Sequence, residues 1–355
     1  MRVLLSGAFN PAFEALPEYL AAALRGLGHE VTLFDHRSFL LPGRIRERSS
    51  RLERWDRARL NRAFLALARR RRAEQVIVNQ GMTIAPATLL ELRSGGVRCV
   101  NWFSDFPAQF EEGLAAAPAY DAFHLGSSWA AERHRERGHT GAAWLPFACD
   151  PAVHTPASGD EPAAQEAARV VFVGSHYPER QILLRHLRGL PVDVWGPGWE
   201  RAASDPHVAP MLRGGALRPA AWRRLFVGAA AVLNIHYGAF GPVWSSGEMA
   251  NTRVFEILGC GALQVVDRQK DTMRLFRDGE QLLAFGSGEE LRARVEEALG
   301  DPARARAVAA AGRRAVLAGH TYADRARVLL GQAAFAARGP LAAPAPLAAV
   351  TGGRA

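Results

Sequence analysis

The chain has 355 residues, 48% of them hydrophobic and 22% charged, with a formal net charge of +9. This length predicts about two domains with ample chain to bury real cores, and the composition is that of an ordinary soluble globular protein. Nearly all the positive charge is arginine, with Lys270 the single lysine; this reads as coding preference and names no partner, but a phosphate gripped here would meet a planar, bidentate guanidinium.

In chain order, RVLLSG (2–7) predicts a buried strand opening into a loop, followed by a helix around 13–27 and a strand in GHEVTLFD (28–35). Further strands are expected in 74–81, 97–105, 122–128 and 142–150, separated by helical patterns near 51–72, 84–94, 107–117 and 129–137. Short apolar strands alternating with helices predict a parallel sheet covered on both faces. Residues 151–168 are rich in Pro, Ala and Ser and have a linker composition. The alternation then restarts, with strands expected in 169–175, 192–198, 230–238, 262–267 and 281–285. A capping box, Ser287 to Glu290, opens the helix that follows, and two more helices are expected at 302–318 and 322–338. The expected division is therefore an α/β unit at 1–150, the linker, and a second α/β unit at 169–320. A C-terminal helix follows at 321–338, then a low-complexity, disordered tail at 339–355.

Cys99, Cys149 and Cys260 are widely spaced in apolar contexts, which fits reduced, buried thiols in a cytoplasmic protein. The opening apolar run is too short for a signal sequence, and no run approaches a membrane span.

Ligands of open α/β sheets bind beyond the carboxyl ends of the strands, where glycine-rich loops feed helix N-termini. Four segments qualify. In SGAFNP (6–11), Gly7 would let a backbone approach a ligand and Asn10 would cap the next helix; a plain strand-to-helix turn is the simpler reading. In FVGSHYPERQ (172–181), the chain leaves a strand through Gly174 and Ser175, passes His176 and enters a helix carrying Arg180. That arginine either reaches a phosphate beside free backbone N–H groups or is simply solvated. WGPGW (195–199), with Gly196, either frames a nucleobase or makes a turn with core tryptophans. In EMANTRVFEILGCGALQVVD (248–267), Asn251 or Thr252 is the expected N-cap, Arg253–Leu258 the helix, and Gly259 or Gly261 its left-handed stop. Glu256 then lies on the helix and Glu248 on the loop before it.

Several chemistries are set aside. There is no D-x-D, H-E-x-x-H, G-x-S-x-G, P-loop or G-x-G-x-x-G pattern, and no metal site is expected. His134 and His139 read as surface histidines. Residues 43–72 carry twelve arginines; an amphipathic helix with a basic outer face explains them, and a peripheral contact with an anionic surface is the functional alternative. Nucleic-acid binding is not expected.

Taken together, LPFACDPAVHTP, VVFVGSHYPERQILLRHL, VDVWGPGW, LNIH, NTRVFEILGCGALQVVD, LFRDGEQLLAF and HTYADRARVLL resemble the CgeB-like glycosyltransferases, within the GT-B superfamily. The likeness is strongest over 144–330, and WFSDFP is the clearest match before it. The resemblance implies two Rossmann-like domains facing each other across a cleft, with C-terminal helices packing back toward the first. It implies a cytoplasmic, hexosyltransferase-like enzyme that moves sugar from a UDP-, GDP- or dTDP-sugar to an unidentified acceptor, with retention and without a metal. Glu256 would bind the donor ribose; Arg180, Arg253, Asn251 and the Gly174–Ser175–His176 and Gly196 loops would complete the donor site. Glu248 would lie near the transferring centre, with Asp105 and His124 as catalytic candidates on the first domain. Met249-Ala250-Asn251 replaces the small glycine loop usual after the first glutamate, which leaves the role of Glu248 open. A nucleotide-sugar epimerase of the same architecture and a non-catalytic sugar-nucleotide or surface-assembly protein are the alternatives.

Overall fold

The computed structural model describes residues 1–10, 15–104, 110–156, 168–236 and 248–336. The chain forms two compact units, one of Met1–Pro146 with Tyr322–Phe335 and one built on Phe147–Thr321.

In the first unit, strands β1 (Arg2–Gly7), β2 (Glu30–Asp35), β3 (Gln75–Asn79), β4 (Arg98–Phe103), β5 (Ala122–Leu125) and β6 (Ala142–Trp144) form one parallel sheet. Their order is β2-β1-β3-β4-β5-β6. Helices α1 (Leu16–Gly26), α2 (Gly43–Arg46), α3 (Ser50–Arg70), α4 (Pro86–Ser94), α5 (Phe110–Ala116) and α6 (Ser128–Glu136) connect them. The central strands are buried along their length because helices cover both faces. Gly7 serves close packing: a Cβ there would fall 2.7 Å from Pro17 Cβ at the start of α1.

One histidine of α6 departs from expectation. His134 is fully buried, stacked on Phe123 at 5.4 Å and edge-on to Phe110, with its Nδ1 3.5 Å from that of His139. The ring supplies flat apolar area on the face that α6 turns to the sheet. Burial, and then the charge of His139, lowers its pKa to about 4.

The second unit has β7 (Val170–Val173), β8 (Val192–Trp195), β9 (Leu212–Gly214), β10 (Ala231–Asn234), β11 (Gln264–Asp267) and β12 (Leu283–Phe285), all parallel in the order β12-β11-β10-β7-β8-β9. Its helices are α7 (Pro178–Arg185), α8 (Pro219–Gly228), α9 (Thr252–Gly259), α10 (Lys270–Leu275), α11 (Gly288–Gly300) and α12 (Pro302–Leu317). Ser287 caps α11 through Glu290 N, and Glu290 reaches back to Gly286 N at 2.6 Å, one residue beyond the expected box partner. The last helix, α13 (Tyr322–Leu329), belongs to the first unit, where Tyr322 packs against Tyr19 and Trp102. All three cysteines are free and buried.

Candidate functional site

Strand order in the second unit reverses between β7 and β10, the position at which open α/β sheets bind ligands beyond the carboxyl ends of their strands. Arg180, in the first turn of α7, spans that reversal. Its Nε and one terminal nitrogen donate to Ile235 O at 2.9 and 2.6 Å, and the other donates to Ser175 O at 2.8 Å. Its guanidinium also lies over Tyr177 and Phe172, at 4.9 and 5.4 Å from their ring centroids. Burial pulls its pKa below the usual arginine value, though an arginine stays charged. Three of its five N–H groups brace the loops, and the other two donate to no group among the described residues.

Beside it, α9 starts from a set of buried and half-buried side chains drawn from three elements. Asn251 is the N-cap, accepting Val254 N at 3.1 Å. Its amide exchanges two 3.0 Å bonds with Asn234 at the end of β10. Its backbone N–H donates to His236 Nε2 at 3.1 Å, while His236 Nδ1 lies 2.8 Å from Asp267 Oδ1 at the end of β11. Because Nε2 accepts, Nδ1 is the nitrogen that donates to Asp267. Asp267 also accepts from His236 N and Gln269 Nε2. Burial by itself would raise the Asp267 pKa; the His236 and Gln269 contacts outweigh it and bring it below the ordinary value. Gly261, at φ +73, is the left-handed stop, whereas Gly259 is helical and lacks a Cβ because His154 Cβ would lie 2.9 Å from it.

Glu256 sits one turn into α9, 15% exposed, with Oε2 2.9 Å from Arg253 and Oε1 3.9 Å from His154 Nε2. The Arg253 guanidinium lies 4.5 Å from the Trp222 ring centroid, so this arginine is turned onto Glu256 and α8. Glu248 pairs with Lys270 at 3.0 Å, and its carbonyl accepts Asp271 N at 2.7 Å. The lone lysine thus fixes the loop glutamate to the start of α10.

The loop after β8 completes the rim. A Cβ at Gly196, which has φ +143, would fall 2.0 Å from Gly174 O, so only glycine lets these two loops touch. Trp199 Nε1 donates to Gly174 O at 2.8 Å, and the His176 ring meets Trp199 edge-on. His176 bonds Gln181, which bonds Asp205, held in turn by Arg185.

Glu256, Arg253, Asn251, Arg180, Gly174, Ser175, His176 and Gly196 therefore belong to adjoining loops and helix starts of one sheet end, with Glu248 joined to the same end through α10. The first-unit candidates are placed differently. His124 is buried in the sheet layer, in register with Trp102, and among the described residues its Nδ1 has no hydrogen-bond partner. Burial, and then the charge of Arg98, lowers its pKa to about 4. Asp105 lies outside the described residues, and Asn10 is bonded through its backbone N–H to Glu18. Sequence reasoning missed His236, Asp267, Asn234 and Lys270; the signal available for the first three was a polar residue closing each of two apolar strands.

A cavity of about 520 Å³ opens elsewhere, lined by Ala229, Ala230, Ala262, Leu263 and their neighbours at the amino ends of β10 and β11. The carboxyl-end site is the one that carries polar chemistry, and the rule for open sheets favours it. Among the described residues no group of three or more His, Cys, Asp or Glu side chains is arranged to hold a metal ion.

Comparison with known proteins follows this geometry. Residues 168–331 match the family described as glycosyl transferase-like. No curated protein matches the chain. Among solved structures, Anabaena HepE in complex with UDP-glucose is similar with a TM-score of 0.63 and 11% identity, over 94% of this chain and 100% of that one. The sucrose-phosphate synthase from Thermosynechococcus elongatus gives 0.66 and 14%, over 93% and 97%. A putative UDP-N-acetylglucosamine 2-epimerase from Listeria monocytogenes gives 0.58 and 12%, over 93% and 94%. At such identities the likeness establishes the fold. The protein has the two-unit α/β fold of the GT-B type, and residues 168–331, most of them in the second unit, are similar to the glycosyl transferase-like family.

Proposed function

We propose that this protein is a metal-independent, retaining glycosyltransferase that takes its sugar from a UDP-, GDP- or dTDP-sugar and passes it to an acceptor hydroxyl or similar nucleophile. Within that class we read it as a CgeB-like, hexosyltransferase-like enzyme of the cytoplasm. The observation that carries the reading is the braced crevice of the second unit, where Arg180 spans the strand-order reversal beside the capped start of α9. HepE, of the same fold, has been solved with UDP and with UDP-glucose.

A departing nucleoside diphosphate gathers negative charge, and fixed donors placed where it develops lower the barrier. The spare N–H groups of Arg180 and the N–H groups of Thr252 and Arg253, which have no acceptor within α9, are such donors. Asn251, Asn234, His236 and Asp267 keep that helix start from moving as charge builds. Glu256 offers its carboxylate to the ribose hydroxyls, with Arg253 balancing its charge. Glu248, steadied by Lys270, faces the sugar as it acquires oxocarbenium character. Ser175, His176 and the Gly174–Gly196 contact shape the base and phosphate pocket. Asp105 is kept as the acceptor-side candidate, and His124 is given no chemical part.

A thermal-shift panel of UDP, GDP, dTDP and ADP, with and without EDTA, tests this. One nucleotide should stabilise the protein, by about 2.7 kcal/mol at a concentration 100 times its Kd, whether or not chelator is present. Glu256→Ala should weaken that nucleotide at least about tenfold, the cost of a hydrogen bond to a charged group. Stabilisation by none of them would sink the donor-site reading. With the matching sugar nucleotide and no acceptor, release of an epimer would favour the epimerase reading, and binding without turnover on any acceptor the non-catalytic one.

A further inference from the structure

The whole net charge of the chain is concentrated in one stretch. Residues 43–72 hold twelve arginines against Glu47, Glu53 and Asp56, a net +9; the rest of the chain has 32 basic and 32 acidic residues and is neutral. The same part of the first unit holds most of the exposed large apolar side chains. Among the described residues there are eight, and Leu33, Leu40, Ile45, Leu52 and Trp55 are five of them, Leu40 at 60% and Trp55 at 48% exposure.

These side chains stand on a fixed platform. Asp56, buried on α3, accepts Leu40 N and Leu41 N at 3.0 and 2.8 Å and pairs with Arg59, which also donates to Ser38 O at 2.7 Å. Burial would raise the Asp56 pKa, but these backbone and arginine bonds outweigh it and hold it below the ordinary range. The loop before α2 is therefore tied to the first turns of α3, where Leu52 and Trp55, three apart, share a face. Of the arginines here, Arg57 pairs with Glu53 and Arg59 with Asp56. Arg44, Arg48, Arg51, Arg54 and Arg62 are exposed and have no carboxylate partner among the described residues.

We propose that this surface docks the protein peripherally on an anionic lipid bilayer, Leu40, Ile45, Leu52 and Trp55 entering the interfacial layer while the arginines meet head-group phosphates. Charge complementarity selects an anionic partner, and the apolar side chains select a bilayer over nucleic acid. Aliphatic groups gain nothing along a phosphate backbone, and single strands are held by stacked aromatics, of which only Trp55 is exposed here. Attachment is to the surface alone, because no helix among the described residues is long and apolar enough to cross a membrane. This goes beyond the proposed transfer reaction and does not depend on it.

Sedimentation of the full chain with phosphatidylcholine vesicles, with and without about 30 mol% phosphatidylserine, is the test, at about 0.05 and 0.5 M salt. The protein should pellet with the anionic vesicles only, and less at high salt. Arg51→Gln with Arg54→Gln should lower partitioning about 30-fold at low salt. Leu52→Ser with Trp55→Ser should lower it at least about tenfold at either salt. Both double variants change exposed side chains and should unfold at the wild-type temperature. Failure to pellet with anionic vesicles overturns the proposal, as does undiminished pelleting of the Leu52/Trp55 variant. Tighter binding to a short DNA or RNA duplex than to vesicles would give the arginines to nucleic acid and equally overturn it.

Discussion

Both units are six parallel strands covered by helices, yet their buried polar side chains are bonded differently. In the second, Asn234, His236, Asn251 and Asp267 bond one another across β10, β11 and α9. In the first, Asn79 donates to Trp102 O and Ser104 Oγ, Ser104 Oγ to Gln80 Oε1 and Asn101 to Gln80 O, while among the described residues His124 Nδ1 and His134 Nε2 are buried without a hydrogen-bond partner, as is His176 Nδ1 in the second unit. Side chains that answer one another hold a helix start where a ligand needs it. In the first unit the bonded side chains tie β3 to β4. An imidazole buried with a bare nitrogen can do neither unless it stays neutral.

That contrast makes acid the sharpest probe. His36, His124, His134 and His139 of the first unit are all held below the usual imidazole value, mainly by burial; in the second unit His154 is lowered in the same way. For His124 and His134 the folded value is about 4 against 6.5 for the free side chain. Between these values the unfolded chain binds the extra protons, so their contribution is complete above pH 6.5 and is lost as the pH falls toward 4. The slope is about 1.4 kcal/mol per pH unit for each histidine. Calorimetry with limited proteolysis from pH 7 to 4 should find the first unit opening before the second. His134→Phe, which keeps the stacking on Phe123, should delay that opening. If the second unit opened first, the contrast would be wrong.

Removing the centre of the second network should reverse the order. Asp267→Ala leaves His236 N, His236 Nδ1 and Gln269 Nε2 buried without their acceptor, a loss of about 3 kcal/mol. At pH 7 the unfolding transition of the second unit should fall while that of the first stays in place. Equal movement of both transitions would show that the network is not local to the second sheet.

The strands were legible because each is a short apolar run between turn residues, and a parallel sheet buries such runs on both faces. The missed strand β9 is mostly exposed, short and irregularly paired with β8, so it carries no apolar signature. The C-terminal helix stops at Leu329, and Gly331 with φ +75 follows it, short of the expected 338. At the site, Asn251 and the Gly261 stop could be read because capping is local in sequence. The Asp267–His236 bond could not, since its partners are 31 residues apart and meet only as neighbouring strand ends. The Arg180 contacts were hidden for another reason: their acceptors are main-chain oxygens, which no residue pattern marks. His134 misled because a polar ring on a charged helix reads as solvent-facing until the helix is rotated onto its sheet.

The finest test compares one helix cap from each unit. Ser127 caps α6 by accepting Ala130 N at 3.4 Å, and Asn251 caps α9 by accepting Val254 N at 3.1 Å. As isolated caps the two should be nearly equivalent, and Ser127→Ala should cost about 0.5–1 kcal/mol. Asn251→Ala removes a cap and also leaves the Asn234 amide buried and unpaired, so about 2 kcal/mol is expected. The excess should vanish in a background of Asn234→Ala, because the unpaired amide is then already gone and the two losses do not add. Chemical denaturation of the four-variant cycle measures that coupling. Additive costs would mean that α9 is held by its cap alone, and that the donor crevice is no better organised than the start of an ordinary helix.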